Sequence, residues 1–245
     1  MKTLHLTVLT ATDIEFRAAA SLLEKFRRFE TGPFGGFGFF HGRRIDLYMT
    51  GMGPHNAATA SREIFKRSKA EYVLVGGLAG AIAPECQVGD LVLYSACEFA
   101  ETTFPRLQTN HHLTAVLNHE FQSGKVPLHC GTGLMARRML CLANEKQAWG
   151  RQYPAKAVDM ESYHMVRFAH QAGKQIAVLR VISDDAHHDV PDFNRALDET
   201  YQVRNFKVFL ELARHPLLAV RFLRNVNLSV KRLKQVFAVA FAADF

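Results

Sequence analysis

Short apolar runs alternate with stretches of helical periodicity along most of this 245-residue chain, and that alternation constrains the fold more than any other feature. Residues 4–9, 72–75, 91–96, 128–131, 156–158 and 176–182 read as strands, several of them apolar throughout. A strand of that kind is stable only in a sheet whose two faces are both covered. Between these runs, residues 15–29 carry Phe16, Ala20, Leu23 and Phe26 at helical spacing and predict a helix; so do 56–68, 144–151 and 161–171. Residues 34–40 and 45–49 flank His41-Gly42-Arg43-Arg44 as a hairpin, 76–80 read as a glycine-rich turn closing a strand, and 99–118 as a loop with a short helix. The pattern predicts a single α/β domain built on a central twisted sheet, mostly parallel or mixed, flanked by helices.

Charge is spread unevenly. Thirty Lys and Arg against 23 Asp and Glu give +7, and residues 201–245 hold eight of those cations against Glu211 and Asp244, which places +6 of the +7 in this tail. There Leu223, Val226, Val230, Leu233 and Phe237 recur at steps of 3, 4, 3 and 4, beside Arg221, Arg224, Lys231, Arg232 and Lys234. A helix of that composition suits an anionic membrane surface, and it also suits a core or a subunit interface. Nucleic acid is disfavoured as a partner, because single-strand grooves interleave aromatic rings with their cations and this helix does not. No run reaches the roughly 18 apolar residues of a membrane span, and the first ten residues lack a signal-peptide pattern. A cytoplasmic protein is expected, touching the inner face of the membrane through its tail. Cys86, Cys97, Cys130 and Cys141 fit neither CxxC metal spacing nor a disulfide scaffold.

Sheets covered on both faces bind ligands at the carboxyl ends of their strands. Carboxylates gather at three such places: Asp13 and Glu15; Asp159 and Glu161 around Met160; and Asp184 and Asp185 after Ser183. Each is costly to desolvate. Helix capping accounts for any one cluster, whereas a shared site accounts for all three.

The ordered segments Gly76-Gly77-Leu78-Ala79-Gly80 with Val88-Gly89-Asp90, Ala157-Val158-Asp159-Met160-Glu161-Ser162, and Arg180-Val181-Ile182-Ser183-Asp184-Asp185-Ala186 follow an opening Thr10-Ala11-Thr12-Asp13-Ile14-Glu15. Together they resemble the purine nucleoside phosphorylase and methylthioadenosine/adenosylhomocysteine nucleosidase superfamily over residues 4–209. The resemblance implies an enzyme that cleaves the N-glycosidic bond of a purine nucleoside. That reaction passes through a ribosyl cation, and the base leaves well only if it is protonated. Asp184 is then the expected acid toward the purine N7, its carboxyl raised by burial and oriented by Ser183. Glu161 is expected to accept the ribose 2′- and 3′-hydroxyls and to stabilise the cation, Met160 to pack under the ribose, and Glu15 to activate water. Leu78 and Ala79 fall in the loop that holds the nucleophile, Met135 where the base edge is contacted, and Leu134 where nucleosidases often place a stacking aromatic; Asp159 completes the substrate-binding set. Leu78 and Leu134 depart from the pattern, since a leucine side chain neither donates a hydrogen bond nor stacks on a base.

Residues 212–216 and 184–191 resemble the hopanoid-associated phosphorylases, which implies adenosylhopane as substrate and adenine as product. The expected organisation is a catalytic domain over 1–212 and a basic amphipathic extension over 213–245, additional to the small nucleosidases. A lipid-linked adenine nucleoside and a second copy of the chain are the expected partners, with no cofactor and no metal; His187 and His188 lack a third ligand. Water is favoured over phosphate because Glu15 repels an anion, although Arg17, Arg137 and Arg138 stand as candidates to oppose it. Two alternatives stay open: a methylthioadenosine or adenosylhomocysteine nucleosidase, and a catalytically silent nucleoside-binding or membrane-interaction protein.

Overall fold

The computed structural model describes residues 5–122, 126–196, 198, 201 and 212–245. Its elements run β1 (His5–Thr10), α1 (Asp13–Ala20), β2 (Glu24–Arg28), β3 (Gly35–Phe40), β4 (Arg43–Met49), α2 (Pro54–Arg67), β5 (Tyr72–Ala81), β6 (Leu91–Phe99), β7 (Leu107–Gln108), α3 (His111–Gln122), β8 (Leu128–Met135), α4 (Ala143–Gln152), β9 (Ala157–Asp159), α5 (Ser162–Gln171), β10 (Gln175–Asp184), a 3-10 turn (Phe193–Ala196) and α6 (Pro216–Ala242). Helices expected after Asp192 fall partly on residues outside the described ones.

All ten strands join one mixed sheet, and half of it closes on itself. β10 pairs with both β5 and β6, β8 pairs with both β6 and β9, and β9 returns to β5, so these five strands form a ring from which β1, β4, β3 and β2 extend. Strands β1, β5 and β10 are parallel neighbours. Their carboxyl ends therefore lie on one edge. Residues of α2 and α5 pack on one face of the sheet, and residues of α1, α3 and α6 on the other.

Three expectations change. The helix expected over 15–29 ends at Ala20, and residues 24–28 form strand β2 against β3. Phe26 takes that place because Gly36 opposite has no side chain: a Cβ there would lie 2.6 Å from the Phe26 ring. The turn expected at 76–80 is continuous strand. Its glycines are filled from elsewhere, since a Cβ at Gly76 would lie 2.2 Å from Phe237, and one at Gly77 would lie 2.4 Å from Arg180 Nη1 and 2.6 Å from Glu15 Oε1. Within 99–118, β6 continues to Phe99, Leu107–Gln108 form β7, and residues 111–118 belong to the twelve-residue helix α3, whose Leu113 N–H is capped by Asn110 Oδ1 at 2.9 Å.

The second half of the tail helix is buried against the sheet. Leu233, Val236, Phe237, Ala240 and Phe241 of α6 are at most 1% exposed and join the same core as β1, β5 and β10. Burying a leucine or phenylalanine side chain contributes about 1.5–3 kcal/mol, so this half-helix is part of what holds the fold. The fully buried Ser229 hydroxyl donates to the Ile182 carbonyl at 2.7 Å and fastens α6 to β10 just before Ser183. The exposed large apolar side chains of α6 lie in its first half: Leu217 is 86%, Val220 69%, Leu223 50% and Leu228 42% exposed. Among the described residues, no helix is long and apolar enough to cross a membrane.

Candidate active site

The edge shared by β1, β5 and β10 opens into a cavity of about 270 Å³. Glu15, Glu161, Asp184, Met160, Ser183, Leu78, Ala79 and Asp159 all line it, so residues spread over most of the chain meet in one place. Leu134 and Met135 do not. They lie inside β8, paired with β6 and β9, and are buried in the core, because β8 runs through its glycines to residue 135 instead of ending near 131. The wall expected from them is supplied by Arg138, Met139 and Leu140 just beyond the strand.

Glu15 is buried on the first turn of α1. Its Oε2 accepts the backbone N–H groups of Ala11 and Thr12, both at 2.9 Å, and its Oε1 accepts that of Leu78 at 2.7 Å. The leucine at 78 thus donates after all, through its main chain. Three N–H donors fix the carboxylate without a neutralising side-chain partner.

Beside it lies a second carboxylate pair sharing one cation. Arg180, 1% exposed, places Nε 3.3 Å from Asp159 Oδ2 and Nη2 3.7 Å from Glu161 Oε2, and donates to the Ser162 hydroxyl at 2.9 Å. Asp159 is saturated: Oδ2 also accepts the Tyr94 hydroxyl at 3.1 Å, while Oδ1 accepts the N–H groups of Glu161 and Ser162 at 2.9 and 2.8 Å. It caps α5 and positions Glu161. Glu161 Oε1 accepts the N–H of Gly53 at 2.7 Å, an approach made by a glycine with φ of +89° that an L side chain rarely adopts. Burial pushes the Glu161 carboxyl up to about 7; Arg180 and the Gly53 N–H oppose that rise, and Asp159 adds to it.

Asp184 is held by two polar side chains. Its Oδ1 accepts the Ser183 hydroxyl at 2.8 Å, and its Oδ2 lies 2.5 Å from the ammonium of Lys146 on α4, a side chain with no exposure at all. Lys146 also donates to the Asp185 carbonyl at 3.0 Å.

Sequence reading missed four contributors. Arg180 was legible as a lone arginine in an otherwise apolar strand; Lys146, in a polar helix, gave no signal. Phe222 and Val226 of α6 line the cavity with Ile14 and Val190, which a family core ending before the tail does not foresee. The arginines considered for an anion are occupied otherwise: Arg17 pairs with Asp13 at 2.8 Å, Arg138 pairs with Glu145, and Arg137 lies over Phe99 at 4.9 Å. His188 turns to Asp185 and His187 to the Pro84 carbonyl, pointing apart.

The phosphorylase superfamily model matches residues 5–214. A purine nucleoside phosphorylase of DeoD type from Streptococcus pyogenes is 26% identical over 73% of this chain and 78% of its own length. A 5′-methylthioadenosine/S-adenosylhomocysteine nucleosidase from Marinomonas is 32% identical over 37% of this chain and 34% of its own. Among solved structures, the nucleosidase of that kind from Neisseria meningitidis, in complex with methylthio-immucillin-A, superposes with a TM-score of 0.76 over 96% of this chain and 97% of its own, at 18% identity. Coverage of 96% takes in most of the 27-residue α6. The single mixed sheet, its flanking helices and a family match over 210 of 245 residues lead to one statement: this chain is an enzyme of the phosphorylase superfamily.

Proposed function

We propose that this protein is an adenine nucleosidase that hydrolyses the N-glycosidic bond of a 5′-modified adenine nucleoside carrying a large apolar 5′ group, adenosylhopane being the substrate that fits this description. One observation carries the reading: a single cavity joins Glu15, Glu161 and Asp184 to a wall of Ile14, Val190, Phe222 and Val226. The carboxylates suit ribose hydroxyls and a developing cation, and the apolar wall suits a hydrocarbon. Glu161 takes the 2′- and 3′-hydroxyls and stabilises the ribosyl cation, with Met160 beneath the sugar. Glu15, already held by three N–H groups, orients and deprotonates the attacking water. Asp184 delivers a proton to the departing base, and Ser183 holds its other oxygen. Phosphate is disfavoured because Glu15 brings negative charge to the nucleophile side, while Arg17 and Arg138 are already paired with carboxylates. The outward Leu217, Val220 and Leu223, with Arg224 beside them, support a peripheral contact with an anionic membrane that holds such a substrate.

A methylthioadenosine or adenosylhomocysteine nucleosidase uses the same polar wall and is favoured by the Neisseria likeness; it differs in needing no large apolar 5′ site. Incubation with adenosylhopane in vesicles, methylthioadenosine and inosine, each with and without phosphate, distinguishes the readings through release of free base. Phosphate-independent release of adenine from adenosylhopane, faster than from methylthioadenosine, is the expected result. The reverse preference establishes the second reading, and strict phosphate dependence overturns hydrolysis.

A further inference from the structure

We infer that Lys146 is the proton store for the leaving base, passing its proton to Asp184, which hands it to the purine. The inference rests on the nucleosidase reading and adds a residue that does not line the cavity. Lys146 Nζ has three acceptors, which account for the three protons of an ammonium: Asp184 Oδ2 at 2.5 Å, the Asp185 carbonyl at 3.0 Å and the His188 carbonyl at 3.4 Å. Two are neutral. Asp184 is therefore its anionic partner, and Asp184 alone of the pair reaches the cavity.

The neighbouring charges do not compete for it. From the loop after β10, Asp185 Oδ1 is taken by His188 Nδ1 at 2.7 Å and by the His187 N–H at 2.9 Å. From α6, Arg221 Nη2 lies 3.4 Å from Asp185 Oδ2. Asp189 Oδ1 accepts the Ala143 N–H at 2.7 Å at the start of α4. The Cys141 thiol ahead of α4, near both Asp184 and Lys146, is pushed up by burial to about 12 and stays protonated. Asp184 and Lys146 thus form a dyad that reaches the substrate cavity through Asp184.

A structural ion pair and a proton store differ in what they demand of the cation. Pairing is satisfied by any positive charge; delivery needs one that gives up a proton, which an ammonium does inside proteins and a guanidinium does not. In the step, an N–H bond at Nζ breaks as an O–H bond forms on Asp184, leaving a neutral amine and a carboxylic acid. That O–H then breaks as N7–H forms, and the electron pair of the C1′–N9 bond goes to the base. Water bonds to C1′ and yields its proton to Glu15. After products leave, Glu15 loses that proton to solvent and Lys146 regains one.

The test compares two leaving groups on one enzyme. Lys146→Arg is assayed with a 5′-alkylthio adenine riboside and with the matching 4-nitrophenyl riboside, whose leaving group needs no proton. The ratio of the two rates is independent of how much protein is folded. The expected result is a fall in that ratio of at least about 100-fold, the usual size of an acid's contribution, with residual adenine release rising as pH falls. A ratio within about threefold of wild type, far below that contribution, means that charge alone suffices and overturns the inference. Should the larger side chain prevent folding, Lys146→Ala is assayed with added ethylamine or ethylguanidine. Rescue of adenine release by ethylamine alone supports the proton store, and equal rescue by both overturns it. Wild-type protein inert toward both ribosides overturns the nucleosidase reading itself, and the inference with it.

Discussion

At one end of the cavity the buried carboxylates Asp159 and Glu161 share the guanidinium of Arg180, with Glu15 held beside them by main-chain N–H groups, whereas at the other end Asp184 meets Lys146 one to one. The first end carries more anions than cations on buried side chains. Such an imbalance favours a cation that appears during reaction, and it shows in a Glu161 carboxyl that burial has raised to about 7. The second end is neutral as a pair and offers a transferable proton. On the proposed reading, one cavity keeps charge stabilisation and proton supply apart by giving each its own buried cation, and arginine at one end and lysine at the other suit that division.

The largest effect that sharpens this contrast is expected from Arg180→Met, which strands its carboxylates. Removing one partner of a buried charge cluster typically costs about 3–5 kcal/mol, so denaturant unfolding should show a loss of that order. Lys146→Met, whose partner Asp184 keeps a 13% exposed side chain, should lose clearly less; equal losses would erase the distinction between the ends. Next comes Asp184→Asn, expected to slow adenine release at least about 100-fold while leaving the 4-nitrophenyl riboside much less affected.

A pH series separates the ends further. Glu161 acts as a carboxylate, so kcat/KM should fall about tenfold per pH unit below roughly 7, and Glu161→Gln should flatten that limb. Stability runs the other way. With the folded value raised from 4.5 to about 7, the native state keeps a proton that the unfolded chain has lost, so this group's contribution declines as pH rises across that window. Thermal unfolding at pH 5 and pH 8 should therefore show a smaller acid-to-base decline in Glu161→Gln than in wild type. Ser183→Ala should give the smallest change: loss of one hydrogen bond to Asp184, worth about 1 kcal/mol, or roughly fivefold in rate.

The polar residues of this cavity were legible to unequal degrees. Glu15, Glu161 and Asp184 stood out because carboxylates directly follow apolar runs, where burial is costly. Lys146 did not, because a helix reading Asn144-Glu145-Lys146-Gln147 has the composition of any solvated surface and its burial is decided by a loop some 40 residues later. Leu134 and Met135 were misplaced for a steric reason: Gly131 and Gly133 look like the end of a strand, yet a Cβ at Gly133 would lie 1.8 Å from the Tyr94 ring, so that glycine clears the way for a tyrosine. Periodicity in the tail gave the apolar stripe correctly. It was silent on what the stripe covers, and the answer changes along the helix, from solvent at Leu217 to sheet at Phe237.

Gly76 and Gly77 hold their places for the sake of residues that belong to other parts of the chain. A methyl group added at 76 asks for a smaller ring at 237, and one added at 77 asks that Arg180 and Glu15 both retreat. The first request can be met by trimming a hydrocarbon; the second can be met only by moving the charges that the chemistry uses. Neighbouring glycines on one strand therefore face unlike fates under mutation: Gly76→Ala is open to rescue by Phe237→Leu, whereas Gly77→Ala has no partner whose change restores both shape and activity.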